Sequence, residues 1–420
     1  MPRADLVVYN IGELVTFKGG PTARPRPGEA GILRGAAVAI RGSRVVEVGP
    51  SSLLRSRYTA LEWLDAEGRL ATPGLVDMHT HPLFAGSRED EFEAKLSGVS
   101  YGEILARGGG IYRTIKATRA ASREELLGLL LERLYRMLWG GTTIVEAKTG
   151  YALKPRVEVE HLRIISEAAR LTPQLVVPTL LAHVPPREGD REAYIEEFRG
   201  AIRAAARQGL ARYFDVFCDR GAFTPVESRI LLEEAWRAGL RLRMHADQLE
   251  YLGCSRLAAE LRLDSVDHLE VMPPENARVL AEAGSTAGLL PTSIMAMMQA
   301  ERPPIKAIRE AGVPIALGSD YNPNNMTPLV QTALQVAPYI LGLTPLEALA
   351  AATVNAAASL GLAGIAGRVV PGFRADLVVW DAENYRWLGY EWGYNMALHV
   401  VAAGRPALVD GRPVLRPPQR

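Results

Sequence analysis

Residues 71 to 81 read Ala-Thr-Pro-Gly-Leu-Val-Asp-Met-His-Thr-His, a short apolar run that ends in an aspartate and two alternating histidines. Alternate side chains of an extended strand point the same way, so His79 and His81 can face one ion from a single strand end. Neutral imidazole is the commonest ligand of transition metals in proteins. The stretch therefore predicts a strand that carries half of a metal site, although two polar loop residues would give the same short pattern.

The composition is that of an ordinary globular protein. The 420 residues exceed what one compact core usually fills, which predicts one large domain plus a smaller one. A net charge of +1 gives no electrostatic reason to propose nucleic acid or an anionic membrane as a partner. We find no apolar run long enough to span a membrane, so we expect a soluble, cytoplasmic protein. Cys218 and Cys254 lack a secretory signal and metal-type spacing, which predicts reduced thiols.

Both ends of the chain look like short strands. β-branched runs separated by Gly and Pro turns occur near residues 5–9, 37–40, 45–48, 375–380 and 407–410. Neither terminal segment is large enough to form its own core, so packing them together is the most economical solution. We predict a composite β-sandwich domain made of residues 1–72 plus 367–420.

Residues 73–366 alternate strand-like and helix-like stretches. Eight apolar runs begin near Leu75, Thr142, Gln174, Tyr213, Leu240, Ser265, Ser285 and Pro314. Capping boxes that begin at Ser122, Thr224 and Thr344 mark helix starts between or after these runs. Eight strand–helix units predict a (β/α)₈ TIM-type barrel. A doubly wound open sheet is the alternative, but no G-x-G-x-x-G follows the first strand, as a nucleotide-binding version would require.

A barrel places its catalytic residues at the carboxyl ends of its strands. The polar residues at those predicted ends are His79, His81, Lys148, His183, His245, His268 and Asp320. They include five of the seven histidines, which random placement would rarely produce. The other two, His161 in a helical stretch and His399 near the carboxyl-terminal strands, we interpret as ordinary surface or core histidines.

This set of residues resembles the amidohydrolase superfamily, whose members are metal-dependent barrel hydrolases with a β-sandwich built from both termini. The superfamily has His-x-His after strand one, His after strands five and six, and Asp after strand eight, and the matching residues are His79, His81, His245, His268 and Asp320. The segment from Gly367 to Val379 is also similar to the superfamily's return into the sandwich.

Within the superfamily the chain most resembles the imidazolonepropionase family, the ring-opening hydrolases of histidine breakdown. The resemblance rests on the shared order and approximate spacing of several short segments. They are Phe84–Phe92, Ser100–Ile104, Gly108–Ile111 with Thr118 and Arg119, Glu146–Tyr151, His245–Gln248 and Ser319–Pro323.

The resemblance implies one Zn²⁺ or Fe ion per subunit, held by His79, His81, His245 and Asp320. Metal-bound hydroxide would attack the ring carbonyl of 4-imidazolone-5-propanoate and give N-formimidoyl-L-glutamate. His268 or His183 would stabilise the developing oxyanion, and Asp320 would pass a proton to the leaving nitrogen. No bridging carbamylated lysine is needed. The family also suggests a homodimer.

The substrate-binding residues predicted by the resemblance are Arg88, Tyr101, Tyr151, His183, Gln248, Asn322 and Asn324. Arg88 can fork onto the propionate carboxylate. The chain departs from the family at Asn324-Asn325, where relatives have Gly and a small hydroxyl residue, at Ala152 in place of Gly, and at Leu181, where the usual Gly-Ala-His has become Leu-Ala-His183. These departures leave the metal ligands intact, but they leave room for a related cyclic amide with an acidic tail as the substrate.

Two other functions remain in view. A heterocycle deaminase of the same superfamily would carry glutamate where this chain has Gln248, and an amide cannot exchange a proton at useful pH. A non-catalytic barrel scaffold would be expected to lose metal ligands, and all four are present. Ring hydrolysis is therefore the first prediction.

Overall fold

The computed structural model describes residues 1–99, 103 and 108–418 of the chain. Its strands, in chain order, are β1 (Arg3–Val15), β2 (Ile32–Arg41), β3 (Arg44–Pro50), β4 (Thr59–Asp65), β5 (Leu70–Pro73), β6 (Leu75–Asp77), β7 (Thr142–Lys148), β8 (Leu175–Ala182), β9 (Tyr213–Cys218), β10 (Arg241–Ala246), β11 (Ser265–His268), β12 (Thr286–Leu289), β13 (Ile315–Leu317), β14 (Leu377–Trp380), β15 (Ala397–Ala402), β16 (Arg405–Val409) and β17 (Arg412–Pro413).

The helices follow the same order. They are α1 (Ser51–Arg57), α2 (Glu89–Leu96), α3 (Ile111–Ala120), α4 (Arg123–Trp139), α5 (Pro155–Arg170), α6 (Arg191–Arg207), α7 (Pro225–Arg237), α8 (Leu257–Leu261), α9 (Ala277–Ala283), α10 (Pro291–Met297), α11 (Ile305–Glu310), α12 (Val330–Leu341), α13 (Pro345–Ala351) and α14 (Val354–Ser359). Short 3₁₀ turns occupy Cys254–Arg256, Pro274–Asn276 and Tyr385–Trp387.

The strands from both termini hydrogen-bond into one mixed sheet. In the part of the chain that the structure describes, this sheet runs β17-β16-β15-β14-β5-β1-β2-β3, and β4 pairs with β1. The amino- and carboxyl-terminal segments meet where β5 pairs antiparallel with β14. One apolar cluster joins buried side chains of both segments, including Leu6, Val38, Leu377 and Val401. The predicted composite of the two termini is confirmed, and the boundaries 1–72 plus 367–420 and 73–366 stay our proposal.

The eight strands β6 to β13 form the predicted barrel. Each strand is parallel to the next one in chain order. The segments that follow β6 and β13 close the ring, because Asp320 N donates to His79 O (3.0 Å) and His81 N donates to Tyr321 O (2.9 Å). This sequential order is that of a (β/α)₈ barrel, so the doubly wound alternative is wrong.

Helix starts follow the predicted capping chemistry. At Thr224 and Thr344 both bonds of the capping box form, and Pro occupies the first helical position in each case. Ser122 caps α4 by accepting a bond from Glu125 N (3.1 Å). These capping residues fix where α4, α7 and α13 begin, and the three helices pack around the barrel.

The prediction of reduced thiols is wrong in this structure. Cys218 at the end of β9 and Cys254 after β10 form a disulfide between buried residues whose Cα atoms are 5.9 Å apart. The 36-residue separation gave no sign of this pairing, because only the parallel pairing of β9 with β10 brings the two residues together. Among the described helices, none is long and apolar enough to cross a membrane.

Candidate active site

Four side chains from three places in the barrel converge at the carboxyl ends of its strands. His79 and His81 follow β6, His245 lies near the end of β10, and Asp320 follows β13. The Nε2 atom of His81 lies 3.3 Å from Nε2 of His79 and 3.3 Å from Nε2 of His245. Oδ1 of Asp320 lies 3.4 Å from Nε2 of His81 and 3.6 Å from Nε2 of His79. All four residues are buried.

Carboxylates behind two of the imidazoles decide which ring nitrogen faces the cluster. His79 Nδ1 lies 2.7 Å from Asp267 Oδ2, and His245 Nδ1 lies 3.0 Å from Asp215 Oδ1. A carboxylate only accepts hydrogen bonds, so each Nδ1 carries the proton and donates it. The Nε2 atoms of His79 and His245 therefore present lone pairs toward the centre of the cluster.

This donor set fits a metal ion. The Nε2 lone pairs of His79 and His245 each lie 3.3 Å from Nε2 of His81, and the nearby carboxylate adds negative charge, so a cation between these atoms would be attracted by all of them. Two groups of residues could each hold an ion. One is His79, His245 and His268, and the other is His79, His81 and Asp320. Within each group the ligand atoms lie within 4.8 Å of one another, and His79 belongs to both. Three imidazoles with one carboxylate are a common set of ligands for Zn²⁺ or Fe. The residues therefore fit a metal ion and are a candidate metal site.

The ionisation states match those that a metal site needs. Burial lowers the pKa of His245 to about 4, even though Asp215 opposes the shift. Burial likewise holds the pKa of His79 well below its usual value. For Asp320 burial favours the neutral acid, but the bond from His81 and the charge of His268 outweigh it and keep the pKa low. Neutral imidazoles and an ionised carboxylate are the forms that bind metals.

A second layer of buried charges supports the two orienting carboxylates. Lys148 Nζ lies 2.6 Å from Asp215 Oδ2 and 2.8 Å from Glu146 Oε1. Burial alone would lower the pKa of Lys148, but these two carboxylates raise it above its ordinary value. On the other side, Arg243 lies 3.0 Å from Asp267 Oδ2. Each orienting carboxylate is thus neutralised by its own buried cation, and Lys148 is placed to support the site without facing it.

Removing the carboxylate behind His79 is expected to weaken metal binding. Asp267→Asn deprives His79 of the anion that fixes its tautomer, and loss of such a partner typically costs about 10- to 100-fold in metal affinity. The measurement is competition with a coloured chelator on purified protein. Asp264→Asn is the matched control, because Asp264 lies at the far end of the same strand and pairs with Arg241. Equal affinities in the two variants would contradict the assigned role.

His268 lies beside the metal ligands and carries its own acidic partner. Its Nδ1 is 3.5 Å from Oε1 of Glu270. Burial lowers the pKa of His268, but the negative charges of Glu270, Asp320 and Asp267 outweigh it and raise the pKa to about 9. A protonated imidazole can donate a hydrogen bond to a developing oxyanion, which is the role that the sequence predicts for this residue.

Several residues at the site adopt strained backbone conformations. His268, Leu269, Asp247 and Asp320 all have positive φ, with values of 83°, 71°, 55° and 48°. Such conformations are costly for residues other than glycine and cluster at functional sites. Gly318 shows a related constraint, because a Cβ there would lie 2.7 Å from Cβ of His79. These strained backbone conformations occur where the chain directs side chains such as Asp320 and His268 toward the centre of the barrel.

A cavity of about 420 Å³ opens above the metal ligands. Its lining contains six of the seven predicted substrate-binding residues: Arg88, Tyr151, His183, Gln248, Asn322 and Asn324. The seventh, Tyr101, lies outside the described residues. His81, His245, His268 and Asp320 line the same cavity. The structure thus brings the predicted binding and metal residues into one space.

Arg88 and His183 are held in defined orientations in this cavity. Arg88 is buried, and its Nε donates to Thr114 Oγ1 (2.8 Å). His183 Nδ1 donates to Gly150 O (3.1 Å), which leaves Nε2 as the acceptor. The His183 ring stacks on that of His81, with centroids 5.4 Å apart. Gly150 has a φ of 121°, and a Cβ there would press against His183.

The segment that carries Gln248 is organised by a residue that the sequence reading missed. The Asp219 carboxylate accepts bonds from the backbone N–H groups of Gln248 (2.8 Å), Leu249 (2.9 Å) and Glu250 (3.0 Å). The Cys218–Cys254 disulfide adjoins this segment. Asp215, Asp267 and Glu270 were missed as well. The available signal was acidic residues inside apolar strand patterns, where an unpaired charge is too costly to be accidental.

The residues that depart from the family pattern have structural partners. Asn325 is buried, and its Nδ2 donates to Ser319 O (2.8 Å) and Asp320 O (3.2 Å). Asn325 therefore holds the strained backbone of Asp320 in place through a hydrogen bond. Asn322, which keeps the family pattern, donates from its Nδ2 to Oδ1 of Asp320 (2.9 Å).

The two histidines that we interpreted as ordinary lie away from the cluster. His161 is buried on α5, where its Nδ1 is 3.7 Å from Glu158 Oε2. His399 lies in β15, and its Nδ1 accepts a bond from Asp410 N (3.2 Å). Neither lines the cavity.

Comparison with known proteins agrees with this site. The family described as "Amidohydrolase family" matches residues 70–407. Imidazolonepropionase of Pyrobaculum arsenaticum is 48% identical over 401 residues, which cover 96% of this chain and 99% of the relative. Imidazolonepropionase of Symbiobacterium thermophilum is 43% identical over 423 residues, with 98% and 99% covered.

Solved structures with the same fold are much more distant in sequence. A zinc-bound adenosine deaminase from Xanthomonas campestris has a TM-score of 0.73 at 19% identity and covers 98% of this chain and 95% of its own. A zinc complex of atrazine chlorohydrolase from Arthrobacter aurescens has a TM-score of 0.73 at 18% identity, with 98% and 97% covered. These likenesses concern the fold alone. By its sequence relatives, the chain belongs to the amidohydrolase family and, within it, to the imidazolonepropionases.

Proposed function

We propose that this chain hydrolyses 4-imidazolone-5-propanoate to N-formimidoyl-L-glutamate, with one Zn²⁺ or Fe ion per subunit. The observation that carries the proposal is the position of Arg88 in the wall of a cavity whose floor holds three converging imidazoles and Asp320. The substrate has a flat cyclic amide and a carboxylate tail. In the cavity, the imidazoles and Asp320 match the cyclic amide, and Arg88 matches the carboxylate. A single ion is favoured because the two candidate ligand groups share His79.

The residues divide the work of ring opening. The metal ion, when bound, acts as a Lewis acid and lowers the pKa of water. Asp320, which is ionised, accepts a proton from the attacking water as the new C–O bond forms. His268 donates a hydrogen bond to the carbonyl oxygen as negative charge develops on it. Asp320 then delivers the proton to the ring nitrogen as the C–N bond breaks.

Other side chains position the substrate in this proposal. Arg88 binds the propionate carboxylate with the end of its guanidinium that Thr114 does not hold. Gln248 contacts the ring through its side-chain amide, while Asp219 holds its backbone. The Nε2 atom of His183 accepts a hydrogen bond from a ring N–H. Tyr151 and Asn322 complete the walls around the ring.

Arg88→Ala is expected to raise KM for imidazolonepropionate by about 10- to 100-fold, because a hydrogen-bonded charge pair is worth about 1.5–3 kcal/mol. The effect on kcat should be smaller, since the tail lies away from the reacting bond. Steady-state kinetics with a tail-less imidazolone is the second arm of the test and should give unchanged values. Arg229→Ala, which removes an exposed arginine paired with Glu260, is the control. An equal loss with both substrates would show that Arg88 has a structural role.

We further propose a homodimer in the cytoplasm. Large aromatic side chains are exposed around the carboxyl-terminal segment, including Tyr339 (58%), Tyr390 (74%) and Trp392 (55%). Aromatic residues at this exposure are typical of protein interfaces, so this surface is where we place the second copy. Light scattering after gel filtration should give twice the chain mass, and Tyr390→Glu with Trp392→Glu should give the monomer. A monomeric parent protein at tens of micromolar would contradict the proposal.

A further inference from the structure

Helix α2 and the residue before it carry two cationic side chains near the substrate cavity. Arg88 immediately precedes the helix and Lys95 lies in its last turn, seven residues later. Arg88 is the N-cap residue, with a φ of −136°, so the helix does not fix the direction of its side chain, but its positive charge is close enough to lower the pKa of Lys95. Arg88 lines the substrate cavity. Lys95 is not among the residues that line the cavity, so its link to the cavity wall depends on a neighbouring side chain.

Lys95 reaches that wall through Asn324. Its Nζ donates to Asn324 Oδ1 (3.1 Å), and Asn324 lines the cavity. Asn324 is itself held in place, because its backbone N–H donates to Asn322 Oδ1 (2.8 Å). Lys95 is half-buried, so its ammonium is partly withdrawn from water at this point. An amide oxygen satisfies one of the three ammonium protons and does not neutralise the charge.

The surrounding charges leave this wall positive. Burial lowers the pKa of Lys95, the positive charge of Arg88 lowers it further, and Glu91 opposes the shift. Glu91 is shared with another cation, because its Oε1 lies 3.9 Å from Arg113 Nη1 as well as accepting a bond from Gly110 N (2.9 Å). Two like charges repel each other in a partly buried wall, and an anion that binds between them offsets this repulsion.

We propose that Lys95, placed by Asn324, is a second cationic contact for the carboxylate of the substrate's tail, alongside Arg88. The proposal rests on the proposed function, because it concerns the tail of the same substrate. Arg88 supplies a planar fork and Lys95 a compact point charge, so one carboxylate can engage both. The pocket would thereby select small molecules that join a flat polar ring to a short acidic chain.

The test compares four proteins: the parent chain, Lys95→Met, Lys95→Arg and Lys116→Met. Lys116 is an exposed lysine on α3, whereas Lys95 is half-buried and donates to the cavity residue Asn324, which makes Lys116 the matched control. With imidazolonepropionate, Lys95→Met is expected to raise KM about 10-fold or more, with kcat within about 3-fold of the parent value. Lys95→Arg should recover most of the loss, and Lys116→Met should show none. With a tail-less imidazolone all four should agree.

A direct binding measurement separates this proposal from the proposed function. Calorimetric titration with imidazole-4-propionate, and with imidazole as the tail-less probe, does not require turnover. Lys95→Met should weaken binding of imidazole-4-propionate about 10-fold or more and leave imidazole binding unchanged. If the parent chain fails to turn over imidazolonepropionate, the proposed function falls, and this titration still decides the role of Lys95. Equal losses for both probes, no loss for either, or no binding of imidazole-4-propionate by the parent would overturn the proposal.

Discussion

Asp320→Asn is expected to reduce turnover of imidazolonepropionate by at least about 10²- to 10⁴-fold, which is the range for losing a general acid and base. An amide cannot accept and return a proton at neutral pH, although its oxygen can still approach a metal ion. The fold should survive the change, because the substitution conserves shape and Asn325 and His79 continue to hold the backbone of residue 320.

Three measurements on the same preparation make this outcome specific. Metal content shows whether Asp320→Asn still loads the ion, the unfolding temperature shows whether it still folds, and single-turnover kinetics shows whether the chemical step has slowed. Asp264→Asn, a change of the same size at the far end of the barrel, should behave like the parent chain. Near-normal turnover by metal-loaded Asp320→Asn would show that another group transfers the proton.

Lys148→Met is expected to destabilise the protein by about 3–5 kcal/mol, the range for removing one partner of a buried ion pair. Lys148 is fully buried between Asp215 and Glu146, so its loss leaves two buried carboxylates without their cation. Methionine has a similar length and fills the space, so the loss comes from charge and not from a cavity. The disturbance should extend to the metal site, because Asp215 orients His245.

The free energy of unfolding from urea titration of the metal-free protein measures this effect. Lys306→Met is the control, because that lysine is exposed and its closest acidic partner, Glu310, is 4.0 Å away. No measurable change is expected there. A loss below about 1 kcal/mol in Lys148→Met would mean that the network is not a structural support of the barrel.

Much of the fold could be predicted because its signals are local. Apolar runs followed by capped helices identify strand–helix units, and eight of them in a row define a barrel. The alternation of His79 and His81 predicts a metal site at one strand end, because the strand period of two residues places both rings on one side. His245, His268 and Asp320 follow from the rule that barrel sites lie at strand ends, together with the family resemblance.

The supporting groups could not be predicted because their partners lie across the barrel. Asp267 pairs laterally with His245 in the sheet, yet its carboxylate accepts a bond from His79, which follows β6. Nothing in the spacing of these residues reveals that contact. The Cys218–Cys254 disulfide was misjudged for the same reason, since its two cysteines meet only through neighbouring strands. Residue type can mark buried acids as candidates, but only the tertiary structure shows which partner each of them contacts.

The most direct test of the central claim is the loss of ultraviolet absorbance of imidazolonepropionate with metal-replete and with chelated protein, together with identification of the product. We expect turnover by the metal-replete protein, formation of N-formimidoyl-L-glutamate, loss of activity on chelation and recovery when Zn²⁺ or Fe²⁺ is returned. Unchanged turnover after complete metal removal would contradict the account. So would no turnover of this substrate combined with ammonia release from an aminated heterocycle, which would identify a deaminase instead.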